Sequence, residues 1–178
     1  MTPHGDLTAK LAGKISPYWN GRGYDVFYDH GSSSKNVGKI VSTINKEYHN
    51  GDELSQLDIA IVKQDSNQIA ILVEIEETTD KPKTFLGDIF GVLFGEYIFF
   101  KRNELVVGGS TTLVVLGVNI TDHEARNKYI QNQVNKVKAS LGTRNAGIGK
   151  VKVMSYKDGE TLIEQLPLLL EKAAQGES

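Results

Sequence analysis

Two short apolar runs, L57-D58-I59-A60-I61-V62 and A70-I71-L72-V73-E74-I75-E76-E77, decide the fold of this chain. Both runs are rich in Ile and Val, and the polar segment Q64-D65-S66-N67 between them has the composition of a turn. They predict a β-hairpin with strands over 57–62 and 69–75. Side chains alternate faces along a strand, so Glu74 and Glu76 point the same way, about 7 Å apart. The second strand therefore begins in a core and ends with two neighbouring carboxylates.

The register of this hairpin decides whether Asp58 joins the two glutamates. A three- or five-residue loop centred on Ser66 puts position 58 opposite position 74, and opposed residues share a face. A two-residue loop shifts the pairing by one and turns Asp58 away. The alternative interpretation is that Asp58 caps a turn and that Glu76 and Glu77 are solvent-facing residues at the strand end. Because like charges held together repel, three acids on one hairpin favour a divalent cation between them.

The flanking sequence predicts helices and strands in alternation. Helical spacing of apolar residues predicts helices from the N-terminus to about residue 19 and over 36–49, 84–101, 123–141 and 159–174, and further strands are predicted over 24–28, 111–118 and 150–156. Asp122 is the predicted N-cap of the helix over 123–141. The resulting fold class is α/β, a mixed β-sheet flanked by helices, in a single domain over 1–178. Gly87, Gly91 and Gly95 fall four apart and predict a seam where a neighbour packs closely, from this chain or a second copy.

Composition excludes several kinds of site. The chain of 178 residues has no cysteine, which rules out disulfides, Cys-ligated zinc, iron–sulfur clusters and a Cys nucleophile. The four histidines are far apart in sequence and form no compact metal motif. The N-terminal residues lack the long apolar run of a signal peptide, and the most apolar window, over 85–100, contains two acids and is short for a bilayer span. We expect an intracellular, cytoplasmic protein with no membrane association.

Charge is distributed unevenly along the chain. Residues 47–96 contain eleven acids and three lysines, whereas residues 125–157 contain eight bases and no acid. One interpretation is two solvated faces of opposite sign. The other is a metal-binding acidic cleft beside a phosphate-binding surface. For that surface the candidate nucleic-acid contacts are Lys35 and Lys39 at the start of the helix over 36–49, with Arg126, Lys128, Lys136 and Lys150 from the basic stretch.

Asp58 followed by Glu74-Ile75-Glu76 resembles the motif of the PD-(D/E)XK nuclease superfamily, which includes restriction endonucleases. That motif places an Asp at the start of one core strand and (Asp/Glu)-X-Lys, with an apolar X, on the next. The order helix, strand hairpin, helix, strand over about 36–118 also resembles the restriction endonuclease-like core, with residues of about 122–174 as a C-terminal extension. The resemblance implies catalytic roles for Asp58, Glu74 and Glu76, and Mg²⁺, with Mn²⁺ as a substitute, held by Asp58 and Glu74.

The sequence departs from the motif at two positions. Leu57 stands where a Pro precedes the Asp, and Glu76 stands in place of the Lys. Some restriction endonucleases carry Glu there and remain active, which implies that Glu76 can still serve, by accepting a proton from the attacking water or by binding a second metal. The superfamily also implies a fourth acid on the preceding helix, for which Glu47 is the candidate metal ligand; the alternative is an ordinary exposed Glu.

The function expected from these residues is metal-dependent endonuclease cleavage of DNA phosphodiester bonds. Because cutting a duplex needs two active sites or two visits, a homodimer is the expected assembly. The competing hypothesis is a catalytically inactive module of the same fold that binds nucleic acid or a protein partner. A third is a small α/β enzyme with an unrelated acidic site.

Overall fold

The computed structural model of the chain describes residues 4–32, 34–77, 82–118, 123–142 and 147–175. Its helices are α1 (His4–Asn20), α2 (Pro82–Phe94), α3 (His123–Leu141) and α4 (Gly159–Gln175). Its strands are β1 (Tyr24–Tyr28), β2 (Ile40–Thr43), β3 (Glu53–Leu57), β4 (Ile59–Lys63), β5 (Ile69–Glu76), β6 (Tyr97–Phe100), β7 (Asn103–Leu105), β8 (Thr112–Val118) and β9 (Lys150–Tyr156).

The larger sheet is mixed and has the strand order β1-β4-β5-β8-β9. β4 pairs antiparallel with β1 and β5, whereas β8 pairs parallel with β5 and β9. Alternate residues of β5 face two separate cores: Ile71 and Val73 pack with α1 and α4, and Leu72 packs with α2 and α3. The mixed sheet with helices on both faces, predicted from the sequence, is therefore confirmed.

The hairpin of β4 and β5 is confirmed, and it contains one irregularity. Ile61 pairs with Ile71, but the next pair toward the turn is Val62 with Ile69, so Ala70 is an extra residue in β5. This β-bulge restores the alternation that the two cores require, because Ile61 and Ile71 then share a face. Further along, Ile59 pairs with Val73, which brings position 58 beside position 74.

A second sheet, with the order β3-β2-β6-β7, was not foreseen from the sequence. The predicted helix over 36–49 is wrong: this segment contains β2, whose four residues are all buried between β3 and β6. The predicted helix over 84–101 ends early, because α2 stops at Phe94 and the next residues form β6. A strand buried on both faces shows no polar alternation, so its apolar residues are compatible with a helical period as well.

The remaining predicted elements are confirmed: α1, β1, β8, α3, β9 and α4 lie within a few residues of their expected bounds. α4 begins with a side-chain cap, since Asp158 Oδ1 accepts a hydrogen bond of 2.8 Å from Thr161 N–H. The N-cap predicted at Asp122 lies outside the described residues. In the ranges described, no helix combines the length and apolarity needed to cross a bilayer.

The glycine seam is confirmed at two of its three positions. A Cβ built on Gly91 would lie 2.6 Å from the carbonyl oxygen of Leu54 in β3, and one on Gly95 would overlap Ser42 Oγ in β2. Gly87 has open space around it. The close neighbour is therefore the second sheet of the same chain, which packs directly on the backbone at the end of α2.

Alanine at these glycines is expected to have opposite effects on stability. Gly91→Ala should lower the free energy of unfolding by roughly 2 kcal/mol, because the new methyl group must displace the backbone of β3. Gly87→Ala should raise it by roughly 1 kcal/mol, because alanine favours the helix at an exposed position. Chemical denaturation of the two variants beside the wild type measures both. Equal effects would contradict the packing described for α2.

Candidate functional site

Four carboxylates gather at the end of the larger sheet where β5 ends. Glu74 and Glu76 project from β5, Asp58 lies between β3 and β4, and Asp88 lies on α2. The negative charges of Asp58, Asp88 and Glu76 all raise the pKa of Glu74. The structure therefore brings together the three acids predicted from the sequence, and adds Asp88. We refer to these four residues as the acid cluster.

Glu74 has one carboxylate oxygen in a buried position. Its Oε2 atom is buried and has no hydrogen-bond partner in the part of the chain that the structure describes. Burial, followed by the charge of Asp58, raises the pKa of Glu74 well above its usual value. A buried carboxylate oxygen without a donor is unfavourable unless it binds a proton or a cation. Glu74 is thus the residue of this cluster that most requires a ligand.

Asp58, immediately before β4, is fixed by contacts from two elements. It is 4% exposed; its Oδ2 accepts a hydrogen bond of 2.8 Å from Ile75 N–H in β5, and its Oδ1 accepts one of 3.1 Å from the Thr8 hydroxyl in α1. Its own N–H donates to Val73 O at 3.1 Å. Because backbone groups two residues apart face the same strand edge, the Asp58 side chain continues the ladder of β5. Its carboxylate thus joins the backbone of β5 to a side chain of α1.

Asp88 was missed by sequence reasoning. It is half-buried, and burial raises its pKa to about 6, with the charges of Glu76 and Asp58 contributing in the same direction. One signal was present in the sequence: Asp88 is the one charged residue over 84–94, within an otherwise apolar helix. A lone acid on a buried helix is a candidate for a functional site because its burial needs a compensating partner.

The donor atoms of the acid cluster are of the type that binds a hard divalent cation. All its donors are carboxylate oxygens, which Mg²⁺ prefers, and Glu74 Oε2 is unsatisfied. Within the described ranges, however, no three His, Asp or Glu side chains are placed to hold one metal ion together. Mg²⁺ is commonly bound by one or two carboxylates and several waters, so a three-residue cage is not required. Glu74 with one neighbour is the set that fits this mode.

Three predicted site residues lie elsewhere. Glu47 is exposed in the segment between β2 and β3, and the helix expected to turn it inward does not exist. It is not among the charges that shift the pKa of Glu74 or Asp88. Lys35 and Lys39 also lack the expected helix N-terminus; Lys35 is exposed, and Lys39 Nζ lies 3.5 Å from Glu53 Oε1. The interpretation of these two lysines as a helix-start phosphate site is wrong.

The basic residues of α3 and β9 are spread along the length of the molecule. The guanidinium of Arg126, near the start of α3, lies 4.3 Å from the ring centroid of Phe85 in α2. Lys128 and Lys136 are exposed on α3, and Lys150 is exposed at the start of β9. β8 runs parallel to β5, so α3, which follows β8, begins on the side of the sheet where β5 ends, with Lys128 nearer that end and Lys136 farther along the helix. Lys138 donates to the carbonyls of Ile148 and Gly149, a structural role.

Comparisons with protein-family models, with curated proteins and with solved structures found no match to this chain.

Proposed function

We propose that this protein is a divalent-cation-dependent nuclease that hydrolyses DNA phosphodiester bonds in the manner of restriction endonucleases. The observation that carries the proposal is the buried, unpaired Oε2 of Glu74 within a cluster of four carboxylates. Among the described residues, the charges that shift the pKa of Glu74 are those of Asp58, Asp88 and Glu76, all negative, so the site is suited to gain a cation. Asp88 belongs to this proposal together with the three acids expected from the sequence.

The order of elements around the site supports the proposed relationship to PD-(D/E)XK nucleases. The resemblance implied a helix, a strand hairpin, a helix and a strand. Of these, the chain contains the hairpin of β4 and β5, α2 and β8 in that order, whereas β2 and β3 replace the expected first helix over 36–49, and β6 and β7 lie between α2 and β8. Asp58 precedes β4 and Glu74 lies on β5, which are the positions that the motif requires.

The residues of the acid cluster have separate roles in the proposed reaction. When bound, Mg²⁺ would supply an activated water and neutralise charge on the phosphate oxygens. Glu74 and Asp58 would hold the cation, with Asp58 oriented by its two hydrogen bonds. Glu76 would accept the proton of the attacking water, which a lysine at this position cannot do while charged. Burial, and then the charge of Glu76, raises the pKa of Asp88, so the Asp88 carboxylate lies within electrostatic reach of the proposed proton acceptor.

Phosphate binding near the site is proposed for the basic residues at the start of α3. Lys128→Ala should weaken DNA binding and reduce the slope of log affinity against log salt by about one, because one phosphate contact is lost. Lys150→Ala, at the opposite end of the sheet, is the matched control and should leave the slope unchanged. Fluorescence anisotropy with a labelled duplex across a range of salt concentrations measures both slopes. A larger loss for Lys150→Ala would place the DNA elsewhere on the protein.

The function is tested by incubating the purified chain with supercoiled plasmid in Mg²⁺, in Mn²⁺ and in EDTA. We expect nicked and linear products with either cation and none in EDTA. A single-stranded RNA substrate under the same conditions separates DNA cleavage from general nuclease activity. A parallel calorimetric titration with Mn²⁺ reports cation binding directly. Absence of both cleavage and Mn²⁺ binding would refute the proposal. Light scattering tests the homodimer, which stays a prediction.

One observation favours the second candidate, an inactive module of the same fold that binds nucleic acid or a protein. Both carboxylate oxygens of Asp58 already accept hydrogen bonds, and the motif lysine is replaced by Glu76. DNA binding that persists without Mn²⁺ binding and without cleavage would identify this module.

A further inference from the structure

Thr8 of helix α1 contacts the acid cluster through its side chain. Thr8 is completely buried, and its hydroxyl donates a hydrogen bond of 3.1 Å to Asp58 Oδ1 across fifty residues of sequence. Buried threonines within helices commonly donate to the backbone carbonyl four residues earlier. Here the single proton of the hydroxyl is directed to a carboxylate of the site instead.

The remaining polar groups of Asp58 are bound by other elements. Oδ2 accepts from Ile75 N–H at 2.8 Å, Asp58 N–H donates to Val73 O at 3.1 Å, and Asp58 O accepts from Asp29 N–H at 2.9 Å. The backbone of Asp58 is therefore fixed by β5 and by the residue after β1. Ile75 N–H binds one oxygen of the carboxylate and the Thr8 hydroxyl binds the other. Hydrogen bonds on both oxygens restrict rotation of the carboxylate, and Thr8 therefore helps to fix its plane.

A carboxylate held in this way can still coordinate a cation. Each carboxylate oxygen has two lone pairs, so an oxygen that accepts a hydrogen bond can also bind a cation. Hydrogen bonds to a ligating carboxylate commonly set its orientation and contribute to metal affinity. We infer that Thr8 is a positioning residue of the site: it fixes the Asp58 carboxylate for divalent-cation binding. This inference rests on the proposed function.

The experiment measures the dissociation constant for Mn²⁺ by calorimetry, and plasmid cleavage, for the wild type and for Thr8→Val. Valine preserves the shape of threonine but removes the donor, so the Mn²⁺ dissociation constant should rise roughly tenfold or more. Thr8→Ser keeps the hydroxyl and should return the constant to within about threefold of the wild type. Ser16→Ala is the matched control, because Ser16 lies on the same helix and donates only to its own backbone, at Ala12 O. It should leave Mn²⁺ binding unchanged.

The possible outcomes separate this inference from the proposed function. If the wild type binds no Mn²⁺, the inference is overturned together with the cation site. If the wild type binds Mn²⁺ and Thr8→Val binds it equally well, only the positioning role is overturned, even where thermal stability falls. Failure of Thr8→Ser to restore binding overturns it as well. If Thr8→Val does not fold, Thr8→Ala, which also removes the hydroxyl donor, gives the same comparison.

Discussion

Glu74→Gln is expected to lower the rate of Mg²⁺-dependent plasmid cleavage by about a thousandfold or more, while making the cation-free protein more stable. The loss of activity follows from removing the carboxylate that would hold the cation, because a defect of about 4 kcal/mol in transition-state stabilisation corresponds to a thousandfold. The gain in stability follows from removing a buried negative charge beside Asp58 and Asp88. Glutamine preserves the shape of the side chain.

Glu47→Gln provides the control for this experiment. It is the same substitution at an acid that the sequence suggested as a fourth ligand and that the structure leaves exposed between β2 and β3. It should change neither cleavage nor stability. Cleavage rates under saturating Mg²⁺ and melting temperatures in EDTA are the two measurements. A Glu74→Gln protein that cleaves like the wild type would eliminate the acid cluster as a catalytic site.

The second large effect concerns pH. The pKa of Asp88 is raised from 3.8 to about 6, so the folded protein holds this proton more tightly than the unfolded chain does. Stability from this carboxyl is therefore fully present below about pH 4 and is lost as the pH rises through 6. Glu74 contributes in the same direction, since its pKa is also raised. In EDTA the free energy of unfolding should therefore be lower at pH 7.5 than at pH 5, because both carboxyls have lost their protons at the higher pH.

Asp88→Asn isolates the contribution of Asp88. Because the carboxyl is half-exposed and screened by solvent, the variant should gain roughly 1 kcal/mol over the wild type at pH 7.5, or about 3 °C in melting temperature, and almost nothing at pH 4. Mn²⁺ should stabilise the wild type at pH 7.5 and largely remove this difference. Melting curves at pH 4, 5, 6 and 7.5, each in EDTA and in Mn²⁺, test the prediction. A gain that is independent of pH would assign the effect to packing rather than charge.

The sequence predicted the part of the fold in which local pattern and tertiary environment agree. α1, α3 and α4 each present one apolar face, and the hairpin strands are bounded by turn residues. The second sheet was missed because β2 is buried on both faces. Its residues therefore show no alternation of polar and apolar side chains, which is the pattern that predicts a strand. The residues of β6 were predicted as part of the preceding helix for the same reason. Only their pairing with β2 distinguishes them from a continuation of that helix.

For the site, the sequence identified the acids that lie on one strand and missed the one that reaches them from elsewhere. Glu74 and Glu76 follow from strand alternation alone. The position of Asp58 depended on the register of the hairpin, and the position of Asp88 depended on how α2 packs against the sheet. A single sequence specifies neither the register nor the packing. Thr8 is fifty residues from Asp58, and nothing in its local sequence distinguishes it from a buried core threonine.

The extra residue at Ala70 has a consequence for how this hairpin can vary. Continuous pairing from Val62 and Ile69 would turn Glu74 and Glu76 toward α1 and α4, into an apolar core that has no room for their charge. Ala70 resets the alternation, so the direction of both glutamates is determined within the strand, downstream of the turn. Insertions and deletions in the turn over 64–68 are then tolerable, and so is the loss of Ala70, because Ile69 would then directly precede Ile71 and both glutamates would keep their face. What the site requires is that Ile71 keeps Ile61 as its partner, whatever the length of the chain before it.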